Sequence, residues 1–386
     1  MRLALAFLLL ASPVAAAPCG GDFATFLTEM ANEARVAGAP DAAIAAFFQG
    51  ARQDQAVLKA DRSQGVFRKT FLDFSQSLIS KDRLQNGGTF SAQYDAAFAR
   101  AEAEHGIPRG ILLAFWAFET DFGAVQGDFN TRNALLTLAH DCRRPALFQP
   151  QVLAAVSLTR QRHDFDPATT TGAWAGEIGM VQMLPRDILA RGLDGDGDGR
   201  VTLKTSAADA ILSAAALLQS HGWRPGEPWL QEIVLPEGFD WAATGIGQQR
   251  PAAQWAAMGA APRAGDFADL PASVLLPQGR SGPAFLAYSN YNVLFEWNKS
   301  FVYVTTAAYF ATRLAGAAPY LAGNPEPGLT GDQMQALQEQ LAARGHDIGR
   351  ADGILGAATR AAVQTEQSRL GLPADAWPTA ALLNAL

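Results

Sequence analysis

The stretch "RGILLAFWAFETDFG", residues 109–123, sets one carboxylate, Glu119, at the end of an apolar and aromatic run. If the stretch is a single helix, Leu112, Phe115 and Trp116 lie seven, four and three positions before Glu119, and Phe122 lies three after it. The acid then shares a face with large apolar side chains. Burial there disfavours the ionised form, so the carboxyl stays protonated near neutral pH and can donate its proton. The chemistry this spacing suggests is general acid catalysis. Two plainer roles compete with it: a helix-terminal glutamate reaching water, or an ion pair with a cation such as Arg132. Asp121, two positions on, points elsewhere on a helix, which makes a two-carboxylate glycosidase pair geometrically poor.

Two further stretches carry chemistry. In "TGAWAGEIGMVQMLPRDIL", residues 171–189, Gly172, Gly176 and Gly179 permit close backbone approach. Gln182 supplies a donor and an acceptor on an otherwise apolar segment, as a groove for a hydroxyl- and amide-rich ligand needs. In "DGDGDGRVTLKTSAAD", residues 194–209, Asp194, Asp196 and Asp198 occupy positions one, three and five of an EF-hand-like loop with Gly199 at six. That spacing lets carboxylates converge on Ca2+. Thr205 stands where the closing Glu belongs, and this weakens the loop as a Ca2+ site. Other chemistries find no support. The five histidines form no HExxH pair, and neither G-x-S-x-G nor a P-loop occurs. A net charge of -7 leaves no excess of cations to neutralise nucleic acid.

The elements that must position these residues read as helices. The chain has 386 residues, 49% hydrophobic and 17% charged, which is globular composition with room for a large domain and a small one. Apolar residues recur at three- and four-residue spacing in "FATFLTEMANEARVAG", "DAAIAAFFQGARQ", "AQYDAAFARAEAEHG", "PALFQPQVLAAVSLTRQ" and "AADAILSAAALLQSHGW". Pro108 suits a first helical turn, and Gly106 and Gly222 suit C-terminal caps. Alternating strand patterns are scarce, so the fold class expected is mainly α. Residues 17–314 form the large domain, and the Ala-, Gly- and Pro-rich segment 315–328 is the linker. Residues 329–386 form three short amphipathic helices, near the size limit for independent folding.

Residues 1–16 carry an arginine, an apolar segment and small residues, the pattern of a cleaved secretory leader, with the mature chain starting near Ala17. The apolar segment is too short to span a bilayer. Pro18 sits where a lipoprotein signal needs a small residue, so lipid attachment at Cys19 is disfavoured. Cys19 and Cys142, the two cysteines of the chain, are expected to pair as in other exported proteins.

Taken in order, "FETDFG", "GAWAGEIGMVQMLP", "DGDGDGR", "SHGW" and "NYNVLFEWNKSFVY" resemble the lytic murein transglycosylase B family of bacterial cell-wall enzymes. The segment "SKDRLQNGGTFSAQYDAAFARAEAEHGIP" also looks like that family, and the resemblance covers nearly all of residues 22–315. It implies a lysozyme-like catalytic fold and cleavage of the β-1,4 bond between N-acetylmuramic acid and N-acetylglucosamine, leaving a 1,6-anhydromuramoyl end. Glu119 would be the single acid and base, with Gln182, Gly179, Asn298 and Tyr303 as substrate-binding residues.

The resemblance also implies a longer acidic loop closed by Asp209, giving the ligand set Asp194, Asp196, Asp198, Arg200 and Asp209 for a structural Ca2+ and no cofactor for catalysis. This chain departs from the family at Glu177 (usually Ala), at "QMLPRD" (commonly "QFMPSS") and at Trp297 (usually Tyr). Trp174, Trp223 and Trp297 are the aromatic candidates for stacking on sugars. Residues 329–386 resemble the three-helix peptidoglycan-binding domain, with Asp352, Gly353, Gly356 and Thr359 at its typical positions. That implies a tether to the wall, or else a helical cap on the catalytic domain. The expected partner is the glycan strand of peptidoglycan and the expected setting is the periplasm. A hydrolytic muramidase and a non-catalytic wall-binding protein remain as alternatives.

Overall fold

The structure is a computed structural model that describes residues 17–63, 69–159 and 165–386. The expected leader lies outside them. The described chain divides into two compact units, the first made of residues up to 62 with 127–178 and 182–190, the second of 63–126, 179–181 and 191–386.

In the first unit, helices Phe23–Val36, Asp41–Phe48, Gln55–Arg62 and Pro145–Leu158 surround Thr131–His140. That helix is buried along its whole length although its sequence, TRNALLTLAH, is half polar. Its polar side chains hold the loop at 49–54. Arg132 donates to the carbonyls of Gln49 (2.6 Å) and Gly50 (3.1 Å), Asn133 accepts from the Arg52 N–H, and Thr137 accepts from the Asp54 N–H. Arg132, Asn133 and Thr137 thereby find partners inside the core. Asp61, almost fully buried, is flanked by Arg143 and Arg144. The disulfide expected between Cys19 and Cys142 is formed.

The second unit holds helices Phe71–Leu78, Lys81–Gln93, Asp95–His105, Arg109–Thr120, Ala207–Ser220, Ser289–Trp297 and Phe301–Leu314. Gly106 ends its helix with φ +70°, as its position in the sequence suggested. A five-stranded antiparallel sheet, absent from the sequence reading, occupies residues 230–288 in the order 250–251, 271–275, 284–288, 230–234, 261–262. Two of its three five-residue inner strands, PASVL and AFLAY, are buried at nearly every position, so neither alternates between apolar and polar. Trp255, fully buried, closes one side of the sheet and donates its indole N–H to Ala272 O (2.8 Å).

The C-terminal helices Gly331–Ala343, Ala357–Arg369 and Ala380–Ala385 pack around Leu337, Leu341, Val363 and Leu382. Thr330 and Gln333 form a capping box at the first of them. The segment 315–328 has no helix, as its composition suggested, yet it does not hang free. Ser75 and the Tyr320 hydroxyl are 2.8 Å apart, Leu321 N–H donates to Glu232, and Asn324 N–H donates to Ser281 O. The C-terminal helices likewise bond to the sheet region, through Arg280–Asp375 (3.2 Å) and Gln364 to the carbonyls of Trp241 and Thr244. In this structure they are a docked part of the second unit.

Candidate active site

Glu119 lies in the last turn of helix Arg109–Thr120, a helix buried over nearly all of its length because RGILLAFWAFET is apolar on every side. The helix does not run on to Phe122. Asp121, Phe122 and Gly123 all take the left-handed conformation (φ +51°, +59° and +90°), which reverses the chain directly after the acid. Two of the three are not glycine, so the turn is strained and must be held by its surroundings. The Thr120 hydroxyl holds it from within, donating to Met180 O (2.5 Å) and accepting the Gly123 N–H (2.8 Å). Asp121 is drawn aside to Arg83 (3.0 Å), and Phe122 packs on Trp116 and Phe90. Phe122 therefore reaches the aromatic cluster through the turn and not by helical spacing.

The partners of Glu119 come from the corner between helices Ser289–Trp297 and Phe301–Leu314. The Tyr303 hydroxyl donates to Glu119 Oε1 at 2.5 Å and the Trp297 indole N–H donates to the same oxygen at 2.9 Å. No hydrogen bond among the described residues reaches Oε2. Trp297 stacks on Phe115 with ring centroids 4.4 Å apart, and Phe118 lies edge-on to Tyr303. The half-buried Glu119 is thus walled by aromatic rings, and loss of solvation raises its pKa while the two donated hydrogen bonds pull it partly back. Tyr303 is pushed well above the ordinary phenol value by burial and the neighbouring carboxylate, so it stays a donor at any physiological pH.

The corner itself is built by capping. Asn298 Oδ1 accepts the Ser300 N–H (2.9 Å), and Ser300 caps the next helix by accepting the Tyr303 N–H (3.4 Å). Behind it, the buried Tyr291 hydroxyl and Thr305 Oγ1, 2.7 Å apart, join the two helices. The Asn298 side-chain nitrogen has no partner among the described residues.

The structure gathers some of the expected residues and not others. Glu119, Asn298 and Tyr303 share the second unit, and Trp297 is a direct partner of the acid that the sequence had offered only as a sugar-stacking ring. Trp223 is core, donating to Gly106 O, while Trp174 is half-buried with Arg144 over its ring at 6.0 Å. Arg132 donates to backbone carbonyls in the first unit, and the acid's own hydrogen bonds come from Tyr303 and Trp297. Gln182 belongs to the first unit and is itself left-handed (φ +51°), in a tight turn closed by the Ile178–Met183 bridge. Glu177, in the same turn region, is half-buried rather than exposed. Gly179 (φ +83°) lies so close to Leu203 that a Cβ would sit 2.6 Å from it, a structural reason for glycine there.

In the acidic loop, carboxylate oxygens of Asp194, Asp196 and Asp209 lie within 4.8 Å of one another. Asp209 is fully buried and accepts the N–H groups of Gly195 (2.7 Å) and Thr202 (2.6 Å). Asp198 does not join this group. It accepts the Arg200 N–H and stays exposed, so neither it nor Arg200 is drawn into the cluster.

With this geometry in view, residues 22–312 match the family described as the transglycosylase SLT domain. The chain belongs to that family. Residues 330–386 match a peptidoglycan binding domain. Among curated proteins, the membrane-bound lytic murein transglycosylase B of Escherichia coli (strain K12) is 31% identical over 194 residues, 47% of this chain and 53% of that protein. The match thus spans about half the length of that relative. Among solved structures, SltB3 from Pseudomonas aeruginosa in complex with NAG-anhNAM-pentapeptide superposes with a TM-score of 0.86 at 33% identity, covering 95% of this chain and 99% of that one. Escherichia coli Slt35 in complex with calcium gives a TM-score of 0.64 at 26% identity over 78% of this chain and 96% of that one. The mainly α fold and C-terminal helices read from the residues, and the lysozyme-like catalytic fold that the resemblance implied, are those of the family.

Proposed function

We propose that the protein is a peptidoglycan lytic transglycosylase that cleaves the β-1,4 bond from N-acetylmuramic acid to N-acetylglucosamine and leaves a 1,6-anhydromuramoyl end. The observation that carries this reading is Glu119: a half-buried acid with both donated hydrogen bonds on Oε1 and its neighbour Asp121 turned away to Arg83. With Oε1 doubly engaged, the proton belongs on Oε2, and from there it passes to the glycosidic oxygen as the bond breaks. The resulting carboxylate accepts the proton of the muramoyl 6-hydroxyl as that oxygen bonds to the anomeric carbon. An internal nucleophile supplied by the sugar removes the need for a second carboxylate. SltB3 was solved with NAG-anhNAM-pentapeptide and with NAG-NAM-pentapeptide, so a relative of this fold binds the anhydro end proposed here.

Asn298 through its free side-chain nitrogen, Gln182 and Gly179 are the proposed glycan contacts, and the C-terminal domain adds wall affinity. The setting proposed is the periplasm after leader cleavage. No described helix is long and apolar enough to cross a membrane. Mass spectrometry of muropeptides released from sacculi tests the reading. Anhydro ends are expected from the wild type, and Glu119→Gln should lose at least a hundredfold in rate while still pelleting with the wall. Reducing ends instead would make it a hydrolase, and undiminished release by the variant would remove Glu119 from the chemistry.

The all-oxygen donor set of Asp194, Asp196 and the buried Asp209 fits a hard cation, and we propose Ca2+ in a structural role. Slt35 was solved with calcium. A ligand at about 100 times its Kd stabilises by about 2.7 kcal/mol, so millimolar Ca2+ added to chelator-treated protein should raise Tm by several degrees. Asp196→Asn should abolish the rise, and an unchanged Tm in wild type would rule the site out.

A further inference from the structure

Both donors to Glu119 come from one corner, and a side chain of the C-terminal domain rests on that corner. Arg360, in helix Ala357–Arg369, lies with its guanidinium 4.4 Å above the centroid of the Phe301 ring. Phe301 is the buried first residue of the helix that carries Tyr303, and it sits four positions beyond Trp297. Arg360 is fixed from the other side by donating to Pro277 O (2.7 Å) and more weakly to Leu276 O (3.4 Å), and the Trp377 ring lies 5.9 Å away. Its Nε is buried without a hydrogen-bond partner, so these polar contacts do not account for its whole placement. Arg360 also lines two small pockets, one of about 130 Å³ shared with Phe301 and Gln364 and one of about 50 Å³ shared with Val302 and Trp377. Space therefore adjoins both Arg360 and the start of the Phe301 helix, and the guanidinium on the Phe301 ring is a contact that bridges the C-terminal domain to the corner. A planar cation on an aromatic face is both attractive and orienting.

We propose that Arg360 is a positioning residue for the reaction, a strut by which the C-terminal domain holds the 297–303 corner so that Trp297 and Tyr303 meet Oε1 of Glu119. This rests on the function proposed above and adds to it: the wall-binding domain then sets the geometry of the acid as well as supplying affinity. Loss of the strut lets the corner relax into the adjoining pockets. The two donated hydrogen bonds lengthen, and the acid loses the contacts that favour its ionised form.

The test uses the full chain with Arg360→Ala, with Arg360→Lys, which keeps the charge and loses the planar face, and with Phe301→Leu, which keeps an apolar side chain and loses the ring. On a short soluble glycan fragment the variants should lose about tenfold in kcat, about 1.4 kcal/mol, with KM little changed. Their alkaline limb should move to higher pH, as in Tyr303→Phe. Arg360→Ala combined with Tyr303→Phe should lose less than the two single losses multiplied, because both act on one contact. Carboxylate 13C NMR of Glu119 reads the same displacement without turnover, so a wild type that releases no anhydro product sinks the proposed function and leaves this test standing. An unshifted Glu119 titration with fully additive losses, or a defect seen only in pelleting with sacculi, would overturn the strut. Should Arg360→Ala fail to fold, Arg360→Lys and Phe301→Leu carry the same readouts.

Discussion

Glu119 accepts a phenol and an indole on one oxygen, and the sign of their effect follows from what they stabilise. A hydrogen bond donated to a carboxylate favours its ionised form and lowers its pKa, against the desolvation that raises it. Removing either donor therefore leaves the acid protonated to higher pH. For Trp297→Phe, which keeps the ring against Phe115, and for Tyr303→Phe, the alkaline limb of the pH–rate profile should move upward. The maximal rate should fall about tenfold, since hydrogen bonds to charged groups are worth about 1.5–3 kcal/mol and these also aim the acid. A limb displaced downward, or unchanged in both variants, would mean that the two donors do not act on the titrating group. Trp297 makes this test specific to the chain, because an indole N–H can only donate and never titrates, whereas a tyrosine at that place can do both.

The turn after the acid decides where Glu119 points. Gly123 sits at φ +90° with the Met180 side chain 3.1 Å from where a Cβ would stand. Gly123→Ala should destabilise by about 1–3 kcal/mol, read as a lower denaturation midpoint, and should reduce the rate because the strained turn and the acid share the end of one helix. Wild-type stability and rate in that variant would show that the left-handed triplet is not needed. Little of this was legible in the residues. Helical periodicity located five helices before residue 315 and the three after it, and the apolar run around Glu119 located the acid, but the helices Ser289–Trp297 and Phe301–Leu314 that supply its partners went unread. The reversal at Asp121 has no such mark: aspartate and phenylalanine are ordinary helix residues, and only Thr120, Met180 and Arg83, contributed by tertiary contacts, make left-handed backbone hold there. The sheet was missed for a related reason. Two strands are only two residues long, and PASVL and AFLAY are buried at nearly every position, so neither kind offers an alternation to read.

On the scale of the chain, the sequence offered residues 329–386 as a tether to the wall or else a helical cap on the catalytic domain, and Pro- and Gly-rich composition reports the lack of helix in 315–328 and not what that backbone bonds to. Glu232, Ser75 and Ser281 tie the segment down, and Trp377 donates its indole N–H to Glu326 O within it. Arg280 reaches both Glu326 and the almost fully buried Asp375. A tethered module would unfold by itself and leave the rest untouched, whereas a docked one shares polar groups with its neighbour and the two must lose structure together. Deleting residues 329–386 should therefore lower the Tm of the remaining chain by several degrees, since Leu276 O, Pro277 O and the carbonyls of Trp241 and Thr244 lose their donors, each such loss being worth about 1 kcal/mol. Calorimetry of the intact protein checks the same point directly. The C-terminal helices and the sheet of residues 230–288 should melt in one transition, and a separate low-temperature transition that disappears on truncation, with the Tm of the remainder unchanged, would restore the picture of a tether.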